Sequence, residues 1–179
     1  QKLHRDGELV AQATSTLFVR ASESDDADDS PKGEAPKPKP KPVKLAPELP
    51  EDVEYEESEI VDGDQSVRYA QASGDMNPLH TDPEFAKKAG LPNVILHGLC
   101  TMAIASRAVI HGAADDDLTR LRRFKVRFAA PVFPGDTLIT SVWRNEEEDL
   151  GDTEHVHVMT RTQDGRAVLT RAKASIDKA

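Results

Sequence analysis

The stretch Gly98-Leu-Cys-Thr-Met-Ala-Ile-Ala-Ser-Arg-Ala-Val-Ile110 is the most apolar of the chain, and its reading decides the fold. Leu99, Met102, Ala103, Ser106, Val109 and Ile110 recur at helical spacing, while Ala103, Ala105 and Ala108 leave room for a sheet to approach closely. The spacing therefore predicts a central, buried helix. Downstream the period changes to two, in the runs Phe124–Ala130, Thr137–Asn145, His155–Thr162 and Ala167–Ile176. Pro134-Gly135 and Asp164-Gly165 mark turns between them, so these runs read as an antiparallel meander. One long helix followed by antiparallel strands gives an α+β class, with the sheet wrapped over the helix.

Upstream, Asp64 to Ala72 reads as a short helix ended by Ser73-Gly74. A second one is capped by Asp82, with Pro83 at its first position and Gly90 as its stop. Between them, Gly74-Asp-Met-Asn-Pro-Leu-His80 reads as a loop held at both ends, carrying Asp75, Asn77 and His80. Pro78 stiffens that loop and biases Asn77 toward an extended backbone. An acid and an imidazole so held can share a water molecule or a substrate proton. The same residues also fit a structural role, with Asp75 capping the loop, Asn77 satisfying backbone groups and His80 an ordinary half-buried histidine. Spacing alone leaves both readings open. His97-Gly98 opens the apolar helix, whose first N–H groups lack internal partners and carry the positive end of the macrodipole. Glycine there lets a ligand oxygen reach the backbone, as in an oxyanion site, or simply relieves crowding of helix against sheet.

Composition bounds the rest. Of 179 residues, 37% are hydrophobic and 31% charged, too polar for one tightly packed globule of that length. Seven of the twelve prolines fall between Pro31 and Pro50, and the acidic run Glu23–Asp29 lies just upstream. Residues 21–50 therefore read as an acidic and Lys/Pro-rich linker. This leaves residues 51–179 as one compact domain and residues 1–20 as an orphan. In the orphan, Glu8–Val19 follows the turn dipeptide Asp6-Gly7 and reads as a strand, much as Ala167–Ile176 follows Asp164-Gly165. It is expected to be the terminal strand of a preceding, similar repeat. A net charge of −9 argues against a nucleic-acid partner. No apolar run approaches the roughly 20 residues of a membrane span. No signal-type stretch opens the chain. The expectation is a cytoplasmic protein without a membrane partner. The single Cys100 excludes an internal disulfide and a Cys-based zinc cluster.

The stretch from Tyr69 to Ile110, with its Gly-Asp-Met-Asn-Pro-Leu-His and His-Gly-Leu-Cys segments, and the later Arg-Phe-Lys-Val-Arg-Phe-Ala-Ala-Pro-Val-Phe-Pro-Gly-Asp-Thr-Leu138 together resemble a known family. It is the MaoC-like dehydratase family, in particular its type 2, (R)-specific enoyl-CoA hydratases. The resemblance implies a hot-dog fold, the helix from Gly98 wrapped by the sheet, and a hydro-lyase that reversibly hydrates trans-2-enoyl-CoA to (3R)-hydroxyacyl-CoA. It makes Asp75 and His80 the catalytic pair. Asn77, Gly98 and Phe128 become substrate-binding residues, Gly98 donating its N–H to the thioester oxygen. No cofactor or metal is implied. The partner is an acyl-CoA or acyl-carrier-protein thioester, and by analogy the domain pairs as a homodimer or with a second hot-dog repeat.

His155 and His157 share one strand face but lack a third ligand. Cys100 suits a packed hydrophobe better than the nucleophile of a hot-dog thioesterase, and Glu146–Asp149 suits a solvated hairpin tip. Arg120, Arg122, Arg123, Lys125 and Arg127 fit either a site for coenzyme A phosphates or an exposed strand face. Two alternative functions stay open: an acyl-CoA thioesterase, which releases thiol, and a non-catalytic acyl-binding or assembly subunit.

Overall fold

The computed structural model describes residues 2–12, 14, 44–144 and 151–179. The chain divides into two units, 1–36 and 37–179. The first contains a hairpin of β1 (Lys2–Arg5) and β2 (Glu8–Gln12). Its turn residues Asp6 and Gly7 both have positive φ, at 53° and 84°, which suits the right-handed twist of two paired strands. Residues 13 and 15–20 of the expected strand, the linker up to residue 43 and the expected hairpin tip at Glu146–Asp149 lie outside the described residues.

The second unit is a five-stranded antiparallel sheet around one long helix. The strands are β3 (Tyr55–Ile60), β4 (Leu121–Phe128), β5 (Thr137–Arg144), β6 (Thr153–Thr162) and β7 (Ala167–Asp177). Their order in the sheet is β3-β5-β6-β7-β4. The helices are α1 (Gln65–Ser73), α2 (Pro78–Thr81), α3 (Pro83–Lys88) and α4 (Gly98–Ala113). This is the α+β hot-dog arrangement, and β4 to β7 occupy the four expected period-two runs. Ahead of β3, Ala46 N–H donates to Gly165 O and Ala167 N–H to Lys44 O, so residues 44–46 pair with the β6–β7 turn.

The central helix corrects the expected face. Its buried residues are Cys100, Thr101, Ala105, Ala108, Val109 and Ala113, whereas Leu99 and Ala103 point outward. The reason is volume. Val142, Val156, Val158, Ala172, Ala174 and Ile176 from the sheet fill the space at one end, and Leu138, Val168 and Leu169 at the other. Small helix residues let the backbones approach, and larger ones on that face would not fit. The crowding is greatest at Gly112, where a Cβ would lie 2.5 Å from Tyr55 Cγ on β3.

Two elements depart from expectation. The strand β3 pairs with β5 from Tyr55 opposite Val142 to Ile60 opposite Thr137, although its Glu-rich sequence lacks apolar alternation. The loop before His80 is partly helical. Asn77 Oδ1 accepts from Leu79 N–H and Pro78 takes the first helical position, which starts the single turn of α2. Asp82 ends that turn and caps α3, its carboxylate accepting from Glu84 and Phe85 N–H.

Candidate functional site

Four segments converge at the N-terminus of α4. The α1 helix ends at Gly74, whose φ of 77° reverses the chain without strain and delivers Asp75. The Asp75 carboxylate accepts from Asn77 N–H at 3.2 Å, which fixes the approach to α2. The α2 turn carries His80, and the segment leading into α4 holds it. Ile95 N–H donates to Leu79 O at 3.1 Å, and His80 Nδ1 lies 2.7 Å from Ile95 O. A carbonyl only accepts, so Nδ1 carries the hydrogen and Nε2 keeps the lone pair of the neutral ring. The sequence thus delivers an imidazole with its basic nitrogen oriented away from the backbone that anchors it.

His97, directly before the helix, is 2% exposed. Its Nε2 lies 3.0 Å from Asp75 O and 4.0 Å from Asp75 Oδ2, and its ring stacks on that of His80 with centroids 3.7 Å apart. The Tyr69 ring tilts against it at 4.8 Å. Burial, followed by the nearby Cys100 and the Asp75 carboxylate, pushes the Tyr69 hydroxyl above its ordinary pKa. One ligand atom each from Asp75, His80 and His97 lies within 4.8 Å of the others, the only such group among the described residues that could hold a metal ion. Each ring has one nitrogen engaged at a backbone carbonyl, so each imidazole has a single nitrogen left for a ligand or a proton.

A pocket of about 330 Å³ opens beside this group. His80 and Gly98 line it together with Ile95, Phe128, Val132 and Val168 among others. A Cβ on Gly98 would meet Phe128 Cε1 at 3.2 Å, so the glycine keeps the helix N-terminus and the ring in close register. Pro131 and Val132 also line the pocket, and the segment they begin, residues 131–136, is clamped by Arg166, just ahead of β7. Arg166 donates to Asp136 Oδ2 at 2.8 Å and to Pro131 O, and lies over the Phe133 ring.

Of the five expected site residues, three line the pocket: His80, Gly98 and Phe128. Asp75 does not line it; its carboxylate lies within 4.8 Å of a His80 ring nitrogen, with the side chain 57% exposed, and Asn77 uses its side-chain oxygen to cap α2. Sequence reasoning missed His97; the available signal was an imidazole one residue before the glycine that opens the buried helix. Cys100 is buried, its thiol pushed up by desolvation despite a contact from Gln65, which disfavours a thiolate nucleophile. In the basic cluster, Arg122 pairs with Asp177 and Arg120 with Asp115, while Arg123, Lys125 and Arg127 are exposed along β4. No helix among the described residues is long and apolar enough to cross a membrane.

Comparison with known proteins agrees with this geometry. The family model described as "MaoC like domain" matches residues 39–165. The chain is 42% identical over 114 residues to a probable enoyl-CoA hydratase 2 of Dictyostelium discoideum, covering 64% of this chain and 37% of that protein. It is 39% identical over 139 residues to the peroxisomal enoyl-CoA hydratase 2 of Arabidopsis thaliana, covering 76% of this chain and 44% of that protein. Among solved structures, a MaoC-like dehydratase from Phytophthora capsici superposes with a TM-score of 0.64 at 30% identity, covering 78% of this chain and 45% of that one. The chain thus spans less than half the length of the curated relatives it matches. With the family model matching well over half of its length, and with helix and sheet arranged as in these relatives, the chain belongs to the MaoC-like domain family.

Proposed function

We propose that this domain is a hydro-lyase that reversibly adds water across the C2–C3 double bond of a trans-2-enoyl-CoA, giving the (3R)-hydroxyacyl-CoA. The observation that carries the reading is the sharing of one apolar pocket by His80, Gly98 and Phe128, with an Asp75 carboxylate oxygen within 4.8 Å of a His80 ring nitrogen. The similarity to proteins named enoyl-CoA hydratase 2 supports it.

The residues suit the chemistry. The thioester oxygen lies against the Gly98 N–H at the positive end of α4, where the negative charge that develops on C1–O during addition is stabilised. One such donor contributes on the order of 3 kcal/mol. Asp75 and the His80 Nε2 hold the water. As its oxygen bonds to C3, the pair takes one proton and a proton is delivered to C2, so the net change is H and OH across the alkene. Both groups stand on the short segment 75–80, which fixes the face attacked and hence the 3R configuration.

The substrate carrier and assembly belong to the same proposal. The carrier is coenzyme A or an acyl carrier protein. The unit pairs with a second copy or with another hot-dog repeat, a reading supported by the exposed Met76, Leu99 and Phe128 next to site residues. The setting is the cytoplasm or, since four relatives carry peroxisomal names, the peroxisome, and cell fractionation decides between them. Incubation with crotonyl-CoA tests the activity: loss of the enoyl-thioester absorbance without free thiol supports hydration. Release of thiol would instead indicate a thioesterase.

A further inference from the structure

We infer that His97 is a positioning residue of this site, one that sets Asp75 and His80 without touching substrate. The inference rests on the functional reading above and goes beyond it. His97 is buried, does not line the pocket, and contacts both members of the pair in different ways. Its Nε2, facing the Asp75 carbonyl at 3.0 Å, must be the protonated nitrogen, because a carbonyl offers no hydrogen. Its ring lies flat against the His80 ring at 3.7 Å. His97 therefore ties residue 75, at the end of α1, to residue 80, on α2, from one rigid position at the start of α4.

The third observation concerns the other nitrogen. His97 Nδ1 is buried and has no hydrogen-bond partner among the described residues. An unmet buried acceptor is costly, and a histidine kept only to fill space would be better replaced by an apolar ring. What a phenyl ring cannot do is donate at the Nε2 position. The donation to Asp75 O is thus the property that singles out histidine here. Asp75 is otherwise exposed, on a turn whose Asp75–Asn77 contact is local, so the long-range tie from His97 is what holds its backbone against the site.

Two substitutions separate the donor from the ring. His97→Phe keeps a stacked ring and removes the donor; His97→Gln keeps an N–H donor and removes the ring. With crotonyl-CoA, His97→Phe is expected to lower kcat by about 10²-fold, the scale of an ångström-level misplacement, with KM little changed. His97→Gln is expected to recover about tenfold of that loss. Equal losses in both variants, unchanged kcat in His97→Phe, or a rise confined to KM would overturn the inference. If His97→Phe does not fold, the ring nitrogens of the unmodified chain decide it. Long-range ¹H–¹⁵N correlation at neutral pH is expected to show the Nε2–H tautomer for His97 and Nδ1–H for His80, and an Nδ1–H tautomer for His97 overturns the assignment. The spectrum requires no turnover. A chain that never hydrates crotonyl-CoA therefore refutes the functional reading, while the tautomers judge the positioning role separately.

Discussion

The imidazoles of His80 and His97 stack with centroids 3.7 Å apart and planes 24° from parallel, although seventeen positions separate them in the chain. Each ring is also tied to a backbone carbonyl, His80 to Ile95 and His97 to Asp75. The contact joins the α2 turn to the start of α4, so the geometry of the site depends on how the central helix is seated.

Gly98 tests whether the helix N-terminus meets substrate. A methyl group there would reach within 3.2 Å of Phe128 Cε1, and the ring has freedom to yield. Gly98→Ala is expected to lower kcat/KM by about 10²-fold through displacement of the thioester oxygen, with little change in Tm. Steady-state kinetics beside a thermal melt checks this; an unaltered kcat/KM would remove Gly98 from the mechanism.

Gly112 behaves in the opposite way. Its Cβ would fall 2.5 to 2.6 Å from Tyr55 Cγ, Cβ and Cδ1, atoms too close to the β3 backbone to move aside. Gly112→Ala is expected to cost about 1–3 kcal/mol by overpacking, against the gain in helix propensity that alanine normally brings. Urea denaturation measures it, and a stabilised variant would contradict the helix–strand packing described.

The clamp on segment 131–136 predicts a larger loss. Asp136 and Arg166 meet at 2.8 Å with both side chains 12% exposed, and Asp136 also accepts from Phe133 N–H. Asp136→Ala leaves the largely buried guanidinium without its carboxylate, facing only Pro131 O and the Phe133 ring, a loss of about 3–5 kcal/mol. Tm is expected to fall by roughly 10 °C, and a melt within 2 °C or so of the parent would show the clamp to be dispensable.

Glu57 governs an acid limb of stability. Burial raises its carboxyl, but the hydrogen bonds from His111 and Arg107 outweigh this and hold it below the ordinary 4.5. A carboxyl depressed in the folded state stabilises above its unfolded value and loses that contribution as pH falls through the folded one. The stability gap between parent and Glu57→Gln is therefore expected to be widest near neutrality and to close below about pH 4.5. Denaturation midpoints from pH 7 to pH 3 show the trend, and a constant gap would contradict it.

Periodicity carried much of the fold into view. The runs after Leu121 alternate because one face of each strand packs on α4, and such a face leaves a regular signature. The strand β3 left none. As an edge strand it points Glu57 and Glu59 at Arg107, and Glu56 at Ser141 and Arg161, so ion pairs replace apolar contacts. The face of α4 was misjudged for a related reason. Leu99 and Met102 are the larger residues, yet the sheet supplies the volume and the helix supplies the small surface. At the site, Asp75, His80 and Gly98 were legible as polar or small residues in places that packing alone does not require. Asn77-Pro78 carried the signal of a helix start, a capping side chain before a proline, and the structure uses it so. His97 was harder to see, because a buried histidine in an apolar stretch reveals its purpose only when the Asp75 carbonyl and the facing His80 ring are placed around it.

The most direct test of the central claim is the hydration of crotonyl-CoA followed by chiral analysis of the product, for the unmodified chain and for Asp75→Asn and His80→Gln. The account predicts (3R)-hydroxybutyryl-CoA from the unmodified chain. It also predicts loss of turnover by about 10²-fold or more in each variant, with the fold retained by circular dichroism. A 3S product, or variants as active as the parent, would contradict it.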